Sequence, residues 1–268
     1  MQSIRVSCNQ TNEEDKIVQR RMGCVLRHEA EVDSTNRQAR LWAREGAPDG
    51  AVVVAARQTA GRGRMQRKWE SPAGTGLYLS AVVRSPLPPE KLPCLTFAAA
   101  MAACDACRAL GARAAVKWPN DLVLEGRKIA GILLEREGDA AVIGIGVNVR
   151  QRLCDFPEEL REKAGSLEML TGRPVDLSAL ERGLIDALGN RVAQAERREW
   201  RDDYRAMCIT LGASVRVSAA DETFEGTAEE MDETGALLVR DKTGTLRRVL
   251  AGDVSVRGLM GYVDRDRA

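Results

Sequence analysis

The sequence holds one histidine, His28, among 268 residues. That scarcity excludes histidine-rich metal sites, and a Ser-His-Asp triad would have to be built on His28 alone. Its setting, VLRHEAEVDST, reads as a strand leading into a helix start, which suits a surface or structural imidazole. Charge of one sign is also missing. Forty basic residues face 39 acidic ones, a net charge of +1, so no global field invites DNA or an anionic membrane. No apolar run reaches the length of a bilayer span, and the polar N-terminus, MQSIRVSCNQTNEEDKIVQ, lacks a signal-peptide core. Seven cysteines (Cys8, Cys24, Cys94, Cys104, Cys107, Cys154, Cys208) form an odd set without framework spacing, which suits reduced thiols and a cytoplasmic protein. Cys104 and Cys107 spell CxxC, but inside LTFAAAMAACDACRAL, an all-round apolar segment in which they read as small hydrophobes of a buried helix. The phosphate-binding pattern G-x-x-x-x-G-K-[ST] is absent, and GIGVNV (144–149) lacks the third glycine and following helix of a dinucleotide fingerprint.

What is present reads as an α+β domain followed by a small all-β one. Ser34-Thr35-Asn36 precedes a helix whose inward face carries Thr35, Ala39, Trp42 and Ala43 and which stops at Gly46. AVVVAA (51–56) and GLYLSAVV (76–83) read as strands, and Pro86, Pro88 and Pro89 break the chain before a buried helix over about 91–110. A strand to Lys117, a proline turn, a hairpin through Glu125-Gly126 and a strand ending at Asn148 follow. One or two helices fill about 158–200, with Asp176 as a cap and Leu177, Leu180, Leu184, Leu188 and Val192 facing inward. ERREWR (196–201) reads as the solvated basic end of that helix. From about 212, ASVRVS, GALLVR, LRRVL and DVSVR are short strands of a small β-barrel.

Two clusters carry chemistry. QTAGRGRMQRKWESP (58–72) is a glycine-rich cationic loop. Gly61 and Gly63 allow close backbone approach, Arg62, Arg64 and Arg67 offer forked donors for phosphate or carboxylate, and Trp69 offers a flat face for a base. Alone, this reads equally well as a solvated basic loop or a nucleic-acid contact. KWPND (117–121) and GRKIAG (126–131) form the second cluster. Lys117, Asn120 and Asp121 surround a proline turn, and Lys128 starts an otherwise apolar strand, where it must find water, an anion or a shifted pKa.

STN (34–36), QTAGRGRMQRKW (58–69), KWPND (117–121), GRKIAGIL (126–133) and GIGVNV (144–149), in this order, closely resemble the motif set of biotin–protein ligases. The resemblance runs from about residue 25 to 258. It implies a mixed-sheet catalytic domain of the biotin/lipoate ligase type over 25–208, an SH3-like barrel over 209–268, and a flexible polar extension over 1–24. It also implies activation of biotin by ATP to biotinyl-5′-AMP, with Mg²⁺, and transfer of biotin to one lysine of a biotin carboxyl carrier protein. Carried over, Ser34, Thr35 and Gln58 would bind the ureido head of biotin, with Asn36 supporting that wall. Gly61, Arg62, Gly63 and Arg64 would close on carboxylate and phosphate. Gly131, Ile132 and Leu133 would line the biotin pocket. Arg67 and Asn120 would serve ATP, Trp69 would stack on adenine, and Asn148 would meet the adenine edge. Lys128 would bridge carboxylate and α-phosphate as the chief catalytic group with Arg64, and Asp121 would hold magnesium or orient the acceptor lysine. Such chemistry needs fixed cations against two mutually repelling anions and no enzyme nucleophile.

Two departures stand out. Many relatives carry a further basic residue and a glycine where this chain has Met65 and Gln66. Only about two dozen polar residues precede the motifs, too few for the N-terminal DNA-binding domain of the longer relatives. No nucleic-acid or membrane partner is therefore expected, and homodimerisation is left open. The rival expectations are a lipoate or octanoate ligase of similar fold and a non-catalytic biotinyl-adenylate-binding regulator.

Overall fold

The computed structural model describes residues 22–218, 222–250 and 253–257. The larger sheet has seven strands: β1 (Leu26–Glu29), β2 (Val52–Ala55), β3 (Gly76–Val83), β4 (Ala115–Lys117), β5 (Asp121–Leu124), β6 (Arg127–Glu137) and β7 (Ala140–Asn148). Their order is β1-β2-β3-β7-β6-β5-β4, with β1 parallel to β2 and every other pairing antiparallel. The mixed sheet and the α+β class are as the sequence implies. β1, suggested by the residues around His28, has His28 itself at the surface, 2.7 Å from Glu181.

Alternation along the strands sorts side chains onto two faces. Leu77, Leu79, Ala81 and Val83 of β3 join Ile143, Ile145 and Val147 of β7 in the main core. Against this face packs α2 (Cys94–Ala109), which is buried nearly all round, together with α4 (Leu177–Glu196). The opposite face carries Tyr78, Ser80 and Val82 of β3 beside Val142, Gly144, Gly146 and Asn148 of β7. α1 (Thr35–Arg44) covers only the Val82–Val142 end of it, through Ala39, Trp42 and Ala43. The uncovered remainder, floored by small and polar residues, is where the site lies.

Asp176 caps α4 as expected, accepting from the backbone N–H groups of Ser178 and Ala179, an arrangement that stabilises by about 1 kcal/mol. Ser34 occupies the N-cap position of α1, but its side chain makes no capping bond. ERREWR is not a solvated helix end. The helix stops at Glu196, Arg198 takes a positive φ, and buried Trp200 stacks on Phe97 at 5.1 Å before α5 (Arg201–Met207) begins. Met22 is buried, and Gly23 N–H donates to Gly50 O, so these two residues of the expected flexible extension pack against the domain. Residues 1–21 lie outside the described residues.

The C-terminal module is a five-stranded antiparallel sheet of β8 (Ser214–Ser218), β9 (Thr223–Met231), β10 (Leu237–Asp241), β11 (Leu246–Val249) and β12 (Asp253–Val256), in the order β11-β10-β9-β8-β12. β9 escapes the sequence reading because its charged residues hide the alternation. The proline turn joins the two parts: buried Trp118 donates its indole N–H to Gly235 O at 3.0 Å and its backbone N–H to Thr210 Oγ1. Gly235 has positive φ and touches Phe97 so closely that a Cβ would overlap the ring, so only glycine fits here.

Pro89–Ala109 has the length and composition of a membrane span, yet its helix Cys94–Ala109 is mostly buried inside the protein. Within it, burial raises the thiol pKa of Cys94 to about 12, Cys104 to about 11 and Cys107 to about 12. Native protein treated with a thiol reagent at pH 8 should therefore be modified at the exposed Cys24 and Cys154 and spared at Cys94, Cys104 and Cys107, as read by peptide mass spectrometry. Equal labelling of Cys104 and Cys24 would contradict this packing.

Candidate active site

The uncovered sheet face opens into a cleft of about 510 Å³. Ser34, Thr35, Asn36, Gln58, Arg62, Gly63, Arg64, Arg67, Trp69, Asn120, Asp121, Lys128, Gly131, Ile132, Leu133 and Asn148 all line it. These residues come from five separate stretches of the sequence, and the fold brings them together. Gly61 is the exception. It lies beneath the loop, where a Cβ would collide with Trp69 O and sit 2.8 Å from Ser71 Oγ, so it permits the loop's path instead of facing the cleft.

One end of the cleft is a polar wall. Gln58 Oε1 accepts from Thr35 N–H (2.8 Å) and Thr35 Oγ1 (3.1 Å), while Gln58 Nε2 donates to Ser71 Oγ. Asn36 Oδ1 accepts from Ser80 Oγ, and Asn36 Nδ2 donates to Glu135 Oε2 and Leu133 O. Asn36 is thereby fully engaged, which fits support of the wall. Gly144 makes room for it, since a Cβ there would overlap Asn36 Oδ1.

The floor is made of glycine. Gly131 of β6 pairs directly with Gly146 of β7, and the Trp69 indole lies over this bare patch. A Cβ on Gly146 would sit 2.5 Å from Trp69 Nε1, and one on Gly131 3.2 Å from the ring. Two glycines at i and i+2 of one strand, Gly144 and Gly146, clear two notches on the same face. That spacing is the signal in GIGVNV which a search for dinucleotide fingerprints passes over.

A β-bulge aims the lysine. Along β6, Asp121 pairs with Gly131 and Leu122 with Ala130, but Val123 then pairs with Lys128, leaving Ile129 as the extra residue. Ile129 and Ala130 can thus both enter the core, and Lys128 emerges on the same side as Gly131, with its Nζ 3.4 Å from where a Gly131 Cβ would be. Lys128 Nζ stands 2.6 Å from Asp121 Oδ1 and 5.4 Å from the Trp69 ring centroid. The type of turn at Glu125-Gly126, both with positive φ, sets the hairpin that carries these two strands.

The loop's arginines are each held. Arg62 meets Glu135 (3.3 Å), Arg64 donates to Asn120 Oδ1 (2.9 Å), and Arg67 pairs with Asp253 of the C-terminal module. Asn120 Nδ2 in turn donates to Ile132 O. Met65 and Gln66 both adopt positive φ, a conformation that costs non-glycine residues about 1 kcal/mol each. This gives physical content to the departure at these positions.

Lys117 and Gln151 are among the cleft residues not expected as site residues. Lys117 is 8% exposed, and burial lowers its pKa, opposed by Asp121 and reinforced by Lys128 and Arg64. It has no ion pair among the described residues. Gln151, 3% exposed, also lines the cleft. The lysine was visible in KWPND; nothing in the sequence marked the glutamine.

Residues 30–149, which carry this mixed sheet and its cationic glycine-rich loop, match the model of the biotin/lipoate A/B protein ligase family. A second model, the biotin protein ligase C-terminal domain, matches residues 210–257, the SH3-like module. The biotin–[acetyl-CoA-carboxylase] ligase of Mycobacterium tuberculosis is 36% identical over 239 residues, covering 84% of this chain and 86% of that protein. The bifunctional ligase/repressor BirA of Bacillus spizizenii is 32% identical, covering 88% and 75% respectively. Among solved structures, biotin protein ligase from Aquifex aeolicus in complex with biotin and ATP superposes with a TM-score of 0.76 at 29% identity, covering 87% of this chain and 98% of that one. The chain belongs to the biotin protein ligase family, and it is an enzyme of the ligase class.

Replacing Gly146 by alanine should dislodge Trp69 from its floor while leaving the sheet core intact. The expected result is an altered tryptophan fluorescence spectrum with an unchanged far-ultraviolet circular dichroism spectrum. An unchanged fluorescence spectrum would show that the indole is not held where the glycines place it.

Proposed function

We propose that this protein activates biotin with ATP to biotinyl-5′-AMP, releasing pyrophosphate, and passes the biotinyl group to one lysine of a biotin carboxyl carrier protein. The observation that carries this reading is the bulge-aimed Lys128, set in one cleft between the polar wall of Thr35 and Gln58 and the arginine loop. A biotin carboxylate and an ATP α-phosphate brought together there repel each other. In a site of effective dielectric 20, two unit charges 4 Å apart interact by about 4 kcal/mol, which fixed cations can offset.

In this reading Thr35 and Gln58, already ordered by each other, meet the ureido ring together with the Ser34 hydroxyl. Gly131 and Leu133 leave room for the bicycle and chain. Lys128 and Arg64 bridge carboxylate and phosphate as charge builds between them, and Arg62 and Arg67 exchange their protein partners for phosphate oxygens. Trp69 and Asn148 receive the adenine. No group of three or more acidic, cysteine or histidine side chains converges on a metal position among the described residues. Asp121 is one of the carboxylates lining the cleft and would hold Mg²⁺ together with phosphate oxygens. Asp121 already holds one primary ammonium, that of Lys128, and this favours the reading in which it orients the incoming acceptor lysine. Water exclusion by the closed loop would protect the mixed anhydride until the amine arrives. A cytoplasmic site of action accords with this acceptor.

Lys128→Ala should lower biotin transfer to a purified carrier domain by at least about a hundredfold, measured by intact-protein mass spectrometry, while preserving the folded spectrum. Turnover within a few-fold of the parent would overturn the role given to Lys128.

A further inference from the structure

Resting on the ligase reading, we propose that Glu135 and Ser80 are positioning residues for the acid substrate. They set the hydrogen-bond polarity of the Thr35–Gln58 wall so that it takes N–H donors. Neither residue lines the cleft. Ser80 is fully buried in β3, opposite Gly144 of β7, and Glu135 lies further along β6.

The chain of contacts starts at Glu135, whose carboxylate Arg40 and Arg62 hold in place at 3.3 Å each. Both N–H groups of the Asn36 amide are engaged, one with Glu135 Oε2 at 2.8 Å and one with Leu133 O at 3.3 Å. A carboxylate and a carbonyl only accept, so they fix which way this amide points. Glu135 supplies the shorter bond, and its charge makes that bond the stronger of the two. Asn36 Oδ1 is left facing Ser80 Oγ at 2.6 Å, and Ser80 Oγ stands 2.8 Å from Thr35 Oγ1. Thr35 Oγ1 in turn stands 3.1 Å from Gln58 Oε1. Gln58 Oε1 also accepts from the Thr35 backbone N–H, which fixes that end of the amide as oxygen.

Three oxygen–oxygen contacts therefore share two hydroxyl protons, those of Ser80 and Thr35. Asn36 Oδ1 has no proton and makes the shortest contact, so it takes the one from Ser80. While the Thr35 hydroxyl donates to Gln58, Ser80 Oγ and Thr35 Oγ1 face each other with no proton between them. A donor entering from the cleft removes this conflict. Thr35 turns its proton to Ser80, which frees lone pairs on Gln58 Oε1 and Thr35 Oγ1 for the N–H groups of the ligand. A cyclic urea brings such donors, whereas a dithiolane or a plain alkyl chain brings none. The carboxylate of Glu135 is what withholds the third proton. An amide in its place can donate to Asn36, and the Asn36 amide can then reverse. Asn36 would donate to Ser80, Ser80 to Thr35 and Thr35 to Gln58, satisfying the wall without a ligand.

The test is biotin-dependent pyrophosphate exchange by the full chain. Glu135→Gln should raise biotin KM about tenfold, the worth of one hydrogen bond, with kcat near that of the parent. Ser80→Ala, which cuts the relay, should raise biotin KM to a similar extent and leave the KM for ATP unchanged. Adding Glu135→Gln to Ser80→Ala should raise biotin KM no further, because coupled residues do not act additively. Multiplying effects would show that Glu135 does not act through Ser80 and would overturn the proposal, as would a biotin KM that Glu135→Gln leaves unchanged. The parent protein should also use an analogue of biotin with oxygen in place of both ureido N–H groups at least about a hundredfold less well. Equal use of the two acids would overturn the proposal whether or not the variants fold. No exchange by the parent with biotin would overturn the ligase reading itself, and this proposal with it.

Discussion

Cations that share a cleft repel one another, and the structure around this site is organised to hold seven of them. Arg62, Arg64, Arg67, Lys68, Lys117, Lys128 and Lys163 all line the same cavity. Five have a partner in place: Glu135, the Asn120 amide, Asp253, Glu70 and Asp121. Lys117 has its pKa lowered by burial and by its cationic neighbours. These partners make the cluster tolerable in the folded protein. They are also the contacts that an anionic ligand would take over, so binding and loop rearrangement are coupled by the same charges.

Holding the cluster requires an open sheet face, and the strands provide it by what they omit. α1 covers only the end of that face lined by Val82 and Val142. Beyond it, Gly131, Gly144 and Gly146 withhold side chains, giving space to Asn36 and a seat to Trp69. The bulge at Ile129 then returns one side chain, that of Lys128, to the cleared surface. The C-terminal module contributes through Trp118, which ties the proline turn to Gly235, and through Asp253, which reaches the loop at Arg67. Packing, topology and charge therefore converge on one lysine.

Much of this was legible in the residues. The apolar β-branched runs gave the strands, the Asp176 cap and leucine stripe gave α4, and the order of five short motifs gave the family. Less legible features had physical reasons. β9, TFEGTAEEM, has polar, acidic and small residues between Phe224 and Met231 and so shows no regular apolar alternation. ERREWR looks solvated because five of its six residues are charged, yet its tryptophan is the stacking partner of Phe97. The bulge depends on a register between strands that no single strand encodes. Gln151 is placed by hydrogen bonds to Asn148 and Ser166, contacts that exist only once the loop over 149–166 has folded back. Even the loop's departure from its relatives, Met65 and Gln66, was visible as residues before it was visible as backbone strain.

The central claim is that this cation cluster exists to join a biotin carboxylate to the α-phosphate of ATP. ATP–pyrophosphate exchange by the purified chain, with biotin, lipoate and octanoate supplied separately, tests it most directly. The account predicts exchange that depends on biotin and is absent with the other two acids. Exchange driven by lipoate or octanoate would give the cleft a different acyl group, and none with any acid would contradict the account outright.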